Sequence, residues 1–352
     1  MSEQIHRGVR PEPARPSPTL EDLAKAAGVS RSTASRAING GSRVSPEAQA
    51  AVDAAVVALA YTPNRAARSL VTRRTSSIAL VIPEPDARVM MDPFFAAVIT
   101  GVNEALRSTD MQLVLLMSRA GDDSARTLRY LRGGHVDGAI VVSHHRADDW
   151  AETLGTTGLP TVFIGRPWDN KLGVPFVDLD NFEGGRLAAR HLASIGRTRL
   201  GTVAGPADMP AAADRLDGWR QGLLEAGLQA GPVIHGDFTT AGGTDAARRL
   251  LADMPELDGV FAASDLMALG VIEVVRGQGR DVPGDVAVVG FDNHALTASN
   301  GLSLTTVTQP MVDMAVAAGQ LLICGIENPE LRLEPVIYPA QLVVRASTTG
   351  PA

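Results

Sequence analysis

The stretch that most limits what this chain can fold into is TLEDLAKAAGVSRSTASRAINGGSRVSPEAQAAVDAAVVALAYTPNRAARSLV, residues 19–71. Thr19 with Asp22 three residues on is the carboxylate form of a capping box, so a helix is expected to start there. Leu20, Leu23, Ala24 and Ala27 recur at three- and four-residue spacing and give that helix one apolar face. Gly28 can turn sharply without a Cβ penalty. Val29 then plugs the angle between helices, and Ser30 is placed to cap a second one. In that second helix Thr33, Ala34, Ala37 and Ile38 fall inward, which leaves Arg31, Ser32, Ser35 and Arg36 outside. Ser45-Pro46-Glu47 opens a third helix with an N-cap, a proline at the first helical position and an acid in the first turn. Its apolar row is Ala48, Val52, Ala55, Val56 and Leu59.

Two short amphipathic helices meeting at a glycine, backed by a third, have the layout of a helix-turn-helix, whose second helix enters the major groove. Arginine near the start of such a helix is the bidentate partner of guanine O6 and N7. Downstream, YTPNRAARSLV predicts a last helix over residues 64–71. Helices below ~12 residues are marginal alone in water, so this one orders only when something holds it. Arg65 and Arg68 can meet phosphates, and Leu70 is an apolar side chain ending a basic element, as a minor-groove wedge requires.

The segments LEDLAKAAGVSRSTASRAIN, VSPEAQAAV and YTPNRAARSL together resemble the lactose repressor/galactose repressor family of bacterial transcription regulators. That resemblance implies that Arg31, Ser32 and Arg36 read bases. It implies that Asn64, Arg65, Arg68 and Leu70 form a hinge in the minor groove, with Leu70 as its wedge. Thr19, Ser30, Thr33, Ser35, Asn39 and Tyr61 take phosphate-contacting or supporting roles by the same resemblance. The implied partner is double-stranded DNA carrying a near-palindromic operator, read by a homodimer. Some relatives end in a leucine-heptad helix that ties dimers into tetramers; residues 346–352 (ASTTGPA) hold no heptads, so a dimer is expected.

Charge divides as this reading requires. The chain carries a net charge of -7, yet residues 1–75 hold 11 Lys or Arg against 6 Asp or Glu, and the remainder 21 against 33. A basic headpiece on an acidic body fits one segment that meets phosphate and another that does not. Residues 1–18 are proline-rich and without an apolar core segment, so they read as a disordered leader rather than a secretory signal. Cys324 is the only cysteine, which rules out an intrachain disulfide and fits a reducing cytoplasm. No run of eighteen apolar residues exists, so no membrane partner is expected.

From residue 76 onward, short apolar runs alternate with helical patterns. Strands are expected at 76–83, 111–118, 136–143 and 160–166, with helices at 94–108, 122–132 and 147–156 between them. The alternation restarts at 175–181, followed by a helix at 182–195, and continues through strands at 199–206, 232–238 and 259–264, each with its helix, to a further strand at 285–293. Such spacing argues parallel sheets covered on both faces, in two lobes with a cleft between them. The body resembles the periplasmic-sugar-binding-protein fold. The expected fold class is therefore an N-terminal all-α helix-turn-helix headpiece plus an α/β two-lobed periplasmic-binding-protein-like body. Expected boundaries are a leader at 1–18, headpiece at 19–63, hinge and linker at 64–75, and body at 76–348. Within the body, lobe 1 takes about 76–175 and 309–325, and lobe 2 about 176–308 and 326–348.

The resemblance and the positions of strand ends point to Phe94, Phe95, Arg215, Phe238, Ser264, Asp292 and Gln309 as effector-binding residues. Carboxylate, guanidinium and amide groups pair with hydroxyls in bidentate fashion, and a phenyl face stacks on a ring, so a sugar suits them. Asp265 reads as a helix cap, Trp219 and Phe291 as structural, and Arg166 as paired with a nearby acid. No phosphate loop, nucleophile elbow or HExxH is present, and His135, His144 and His145 lack ligand spacing and read as surface histidines. Neither enzyme activity, metal nor cofactor is expected. The expected function is a cytoplasmic, nucleoid-associated regulator of a carbohydrate-utilisation operon, most simply a repressor, released from its operator by a small-molecule effector. A purine-like co-repressor, a phosphorylated carrier protein as trigger, and an activating role stand as alternatives.

Overall fold

The computed structural model describes residues 18–38, 44–62, 74–118, 122–294 and 303–349. It divides into two compact units between Thr75 and Ser76.

The first unit holds α1 (Leu20–Ala26), α2 (Arg31–Ile38) and α3 (Pro46–Leu59). Both halves of the capping box form: the Thr19 amide donates to the Asp22 carboxylate at 2.9 Å, and the Asp22 amide to the Thr19 hydroxyl at 3.2 Å. Gly28 takes φ +65°, which suits a residue without a Cβ. Ser30 accepts from the Thr33 amide at 3.1 Å and starts α2, and Ser45 accepts from the Ala48 amide at 3.2 Å and starts α3. Leu23, Ala34, Val52 and Tyr61 are among the side chains that close the small core. Each large one contributes about 1.5–3 kcal/mol by leaving water, so a unit this small depends on every one of them.

The second unit contains two six-stranded sheets. The first has order β11-β5-β4-β3-β1-β2 and is parallel throughout, with β1 (Ser77–Ile82), β2 (Gln112–Met117), β3 (Gly138–Val142), β4 (Thr161–Ile164), β5 (Phe176–Leu179) and β11 (Val336–Tyr338). The second has order β12-β10-β9-β8-β6-β7, with β6 (Leu200–Ala204), β7 (Val233–His235), β8 (Gly259–Ala262), β9 (Ala287–Asp292), β10 (Thr305–Thr308) and β12 (Gln341–Val343). Only β12 runs antiparallel to its neighbour. Central strands such as β1 and β3 are buried on both faces, which is why they read as unbroken apolar runs instead of alternating ones.

Helices on the first sheet include α4 (Asp86–Met91), α5 (Pro93–Leu106), α6 (Asp122–Arg132) and α7 (Trp150–Gly155); those on the second include α8 (Asn181–Ser194), α9 (Pro210–Glu225), α10 (Thr240–Asp253) and α11 (Asp265–Gly277). The chain then passes back: α12 (Met311–Glu327) packs on α5 and against β3, β4 and β5. Chain crossings therefore fall after β5, after β10 and between β11 and β12.

Two lobe assignments made from the sequence need correction. Residues 176–179, expected to open lobe 2, are the fifth strand of the first sheet, and Phe163 faces Phe176 in register. The loop over 165–175 carries no helix, so the broken alternation looked like a new lobe when it was a direct strand-to-strand connection. Residues 336–338, expected in lobe 2, pair with β5 in lobe 1, Val336 opposite Val177. Only β12 completes the second sheet. The short helix α4 had no sequence counterpart at all.

Candidate nucleic-acid interface and ligand cleft

On α2, burial of Ala34 and Ala37 turns Arg31, Ser32 and Arg36 to solvent, with Thr33 and Ser35 half-buried beside them. The Arg36 Nε donates to the Ser32 carbonyl at 3.2 Å, a bond within its own helix. Ser30 hydroxyl contacts reach both Ser32 and Thr33 at 2.8 Å, so these three hydroxyls form one array at the start of the helix. Tyr61 is buried in the small core. Asn39, Asn64, Arg65, Arg68 and Leu70, all named from the sequence, lie outside the described residues.

In the body a cleft opens between the two sheets, at the carboxyl ends of their strands, and encloses about 670 Å³ of atom-free space, mouth included. Six of the seven sequence-named residues line it: Phe94, Arg215, Phe238, Ser264, Asp292 and Gln309. Phe95 does not. It is fully buried in the core and meets Phe94 edge-on at 5.1 Å between ring centres, because on a helix adjacent residues cannot share a face.

Arg215 sits on α9, which α8 approaches closely: a Cβ on Gly185 would stand 1.9 Å from the Arg215 carbonyl oxygen, and one on Gly218 1.8 Å from that of Phe182. So placed, the guanidinium stacks on Phe291 at 3.5 Å. It donates to the Asn181 amide oxygen at 2.8 Å, the Ala263 carbonyl at 2.6 Å and the Gln309 amide oxygen at 3.2 Å. Burial presses its pKa down, and Asp292 acts against that. Asp292 ends β9 at φ +112° and lies 3.8 Å from Arg215 Nη1, an ion pair too long for a hydrogen bond. Burial lifts its carboxyl well above the ordinary range, Arg215 opposes, and Asp265 and Asp92 add to the rise.

Asp265, expected as a cap, is instead a buried strut. Ser264 caps α11 by accepting from the Met267 amide at 3.2 Å. The Asp265 carboxylate accepts from the Thr306 hydroxyl at 2.6 Å and the His294 amide at 2.8 Å, tying β9 to β10 under the cleft. Phe238 takes φ +65° and lies between two guanidinium groups, Arg88 at 5.3 Å and Arg215 at 5.8 Å from its centre. Ser143, at φ +57°, also borders the space. Non-glycine residues held left-handed cost roughly 1–3 kcal/mol each, and they gather where a ligand must be met.

The cleft also holds residues the sequence reading missed. Ser143 and His144 follow β3, where the strand-end rule would have found them had it been applied to that strand. His144 is not a surface histidine: burial drops its pKa to about 4, and it packs edge-on to Phe163. Arg88 lies inside the unforeseen α4, and Asp92 is its C-cap. Asp178 lies inside β5 and is pushed up to about 6 by burial, against bonds from the Leu179 and Arg166 amides. Arg166 does pair with an acid, reaching both Asp214 oxygens at 2.6 and 2.8 Å across the lobes.

Comparison with known proteins decides what this architecture is. A model for bacterial regulatory proteins of the lacI family matches residues 19–64, and one for a periplasmic binding protein-like domain matches residues 189–348. HTH-type transcriptional regulator CelR of Thermobifida fusca is 43% identical over 337 residues, covering 94% of this chain and 98% of its own. The chain belongs to the LacI family of bacterial regulators. As a LacI-family member it is a DNA-binding transcription regulator, not an enzyme. The ribose operon repressor of Halalkalibacterium halodurans is 33% identical over 333 residues, covering 94% of this chain and 97% of its own. A solved CelR–cellobiose complex superimposes with TM-score 0.75 at 41% identity, over 94% of this chain and 99% of that one. The lac repressor dimer bound to operator shares the fold, with TM-score 0.83 at 24% identity over 94% of this chain and 98% of that one. Among the described residues no helix is long and apolar enough to cross a membrane.

Proposed function

We propose that this LacI-family regulator represses a carbohydrate-utilisation operon and leaves a near-palindromic operator when a sugar occupies the cleft. The observation that carries the effector half is Asp292. Its carboxyl is mostly buried, and that burial lifts its pKa, yet among the described residues its shortest hydrogen bond is 3.4 Å, from the Asp265 amide. Buried polar groups are almost always satisfied, and a vicinal pair of hydroxyls would satisfy this one. Phe94 and Phe238 line the same cleft. The sugars named with relatives support the class: cellobiose in the CelR complex and ribose in a LacI-family regulator from Enterococcus faecium.

In this reading Arg31, Ser32 and Arg36 contact base edges, with Thr19, Ser30, Thr33, Ser35, Asn39 and Tyr61 contacting phosphate or supporting them. Asn64, Arg65, Arg68 and Leu70 form the hinge in the minor groove. The headpiece spans 19–63, the hinge and linker 64–75, and the body from 76 carries both effector site and dimer contacts. Two copies read two half-sites, and the protein works in the cytoplasm on the nucleoid. A sugar that binds one lobe arrangement more tightly shifts the population toward it, and release follows if that arrangement holds DNA less well.

The test is thermal unfolding against a panel of mono- and disaccharides, sugar phosphates and nucleobases, with Asp292→Ala alongside. A sugar at ~100 times its dissociation constant adds about 2.7 kcal/mol. One sugar raising the melting temperature of the parent protein but not of the variant, and releasing DNA selected from a random pool, is expected. A rise with nucleobases alone, or an undiminished rise in Asp292→Ala, overturns the reading.

A further inference from the structure

Among the described residues three guanidinium groups line the cleft, those of Arg88, Arg166 and Arg215, and each already faces a carboxylate. Arg88 bonds the buried Glu84 through Nη1, while its Nε is shut away from solvent. Arg166 spans both oxygens of Asp214 at 2.6 and 2.8 Å. Arg215 spends three hydrogen bonds on protein, with Asp292 3.8 Å away. The imidazole on the wall, His144, is kept neutral by the burial that drops its pKa to about 4. Pro210 and Ala211, in the first turn of α9, also border the space, and helix starts favour anions. Asp208 just before that turn and Asp214 just after it answer the pull with negative charge.

The acids of the cleft are less well matched. Asp178 is satisfied by the Leu179 and Arg166 amides and the Asn181 side chain. Asp92 and Asp292 are not, and they come from opposite lobes to one spot: the His294 Nε2 lies 3.9 Å from Asp92 Oδ1 and 3.7 Å from Asp292 Oδ2. Asp92 caps α5, its Oδ1 accepting from the Phe94 amide at 3.0 Å. Among the described residues no hydrogen bond reaches its Oδ2, although the side chain is only 10% exposed and borders the cleft. A carboxylate has room for about four bonds, so a side chain this dry with one bond made has acceptor capacity left for a ligand. Burial raises the Asp92 pKa; the Phe94 amide, Arg88 and His294 oppose this, and Glu84 adds to the rise.

A hydroxyl can donate to either acid. A phosphate or carboxylate on the ligand would instead bring another negative charge into a nearly dry space whose cations are engaged elsewhere, where salt screens little. An unpaired charge set against the wrong ligand is how a site rejects it. We infer that Asp92, facing Asp292 from the other lobe, is a specificity-determining residue that accepts hydroxyls of an uncharged sugar and turns away sugar phosphates and sugar acids. The inference rests on the sugar reading of the cleft and adds to it the charge class of the effector and the first-lobe residue that sets it.

Calorimetric titration of the full chain at pH 7.5 with glucose, galactose, ribose and cellobiose, and with glucose 6-phosphate, ribose 5-phosphate and glucuronate, tests it. A neutral sugar is expected to bind at least about tenfold more tightly than its charged counterpart. Asp92→Asn removes the charge but keeps an acceptor oxygen and a good N-cap, so the fold is preserved and the ratio should shrink about three- to tenfold. Asp123→Asn makes the same change of net charge on α6, outside the cleft lining, and should leave the ratio unchanged. Charged sugars binding as tightly as neutral ones, or equal ratios in the parent and Asp92→Asn, overturn the inference. If a neutral sugar binds, Asp292→Ala abolishes binding and Asp92→Asn leaves the ratio intact, the role of Asp92 falls while the cleft stands. If no sugar binds the parent protein, both readings fall together.

Discussion

Substituting His145 by glutamine should change how stability depends on pH, and the structure fixes both sign and size. His145 joins the lobes: its Nε2 lies 3.2 Å from Glu84 of the first, and its Nδ1 3.0 Å from Asp208 of the second. The hydrogen bond to Glu84 is the largest influence and lifts the imidazole pKa to about 9; burial works against it, and Asp208 adds to it. Burial pushes the Glu84 carboxyl up, but bonds from His145, Arg88 and Ser143 outweigh it and hold the group low. A pKa raised from 6.5 to about 9 contributes about 3 kcal/mol at most. The ring is 24% exposed, so solvent screening brings the expected figure to about 1–3 kcal/mol. Because the folded pKa is the higher one, this stability is fully present below pH 6.5 and is lost as pH rises through about 9. Glu84 titrates below that window and does not confuse it. Glutamine keeps polar contacts but not the charge. Thermal unfolding of both proteins from pH 6 to 9.5 should show the parent's advantage shrinking across the window, by roughly 2–4 °C per kcal/mol. Parallel curves would refute the charged bridge.

Gly185→Ala should lower stability by about 1–3 kcal/mol or more, since its Cβ meets backbone at 1.9 Å and neither helix can yield cheaply. Gly277→Ala, a helical position with open space around it, is the control and should be neutral or mildly stabilising in the same melts. Arg36→Ala should relax sequence preference at one position by about 1–3 kcal/mol in binding assays on a set of operator variants. An equal loss on every sequence would mark it as a phosphate contact instead. Arg215→Lys should cost about 3 kcal/mol in denaturant unfolding and blunt the sugar response, because an ammonium cannot reach Asn181, Ala263 and Gln309 from one plane. Unfolding curves that coincide with the parent's would remove the arginine from its structural role.

What could be read in advance was what depends on neighbours in sequence. Thr19 with Asp22 and Ser45 with Pro46 act within one helical turn, so α1 and α3 start where the letters place them. Strands β1 to β9 were visible because most of them are short, mainly apolar runs; β11 and β12 were not located. Lobe membership was not visible either. Nothing within Phe176–Leu179 records that its hydrogen-bond partner is β4, or that Val336 will later pair on its other edge. Register across a sheet is a property of distant pairs, and alternation of strand and helix fails as a guide wherever a loop replaces the helix. Arg88 and Asp92 were out of reach for a related reason, since they lie in and just after a six-residue helix fixed by packing and not by periodicity.

Arg215 and Asp292 show how residue type alone misjudges which group in the cleft has a bond left to make. Both suggested hydroxyl partners. In the folded cleft the guanidinium has three hydrogen bonds to protein and a ring beneath it, so little of its donor capacity is left. The carboxylate, by contrast, has neighbours close enough to hold it in place but none close enough to satisfy it. Arg215 is therefore the pin that fixes Gln309 and the field around Asp292, and Asp292 is the group with a bond still to make. Satisfaction depends on distances of tenths of an ångström, which no sequence pattern encodes, so the division of labour between these two residues becomes visible only in three dimensions.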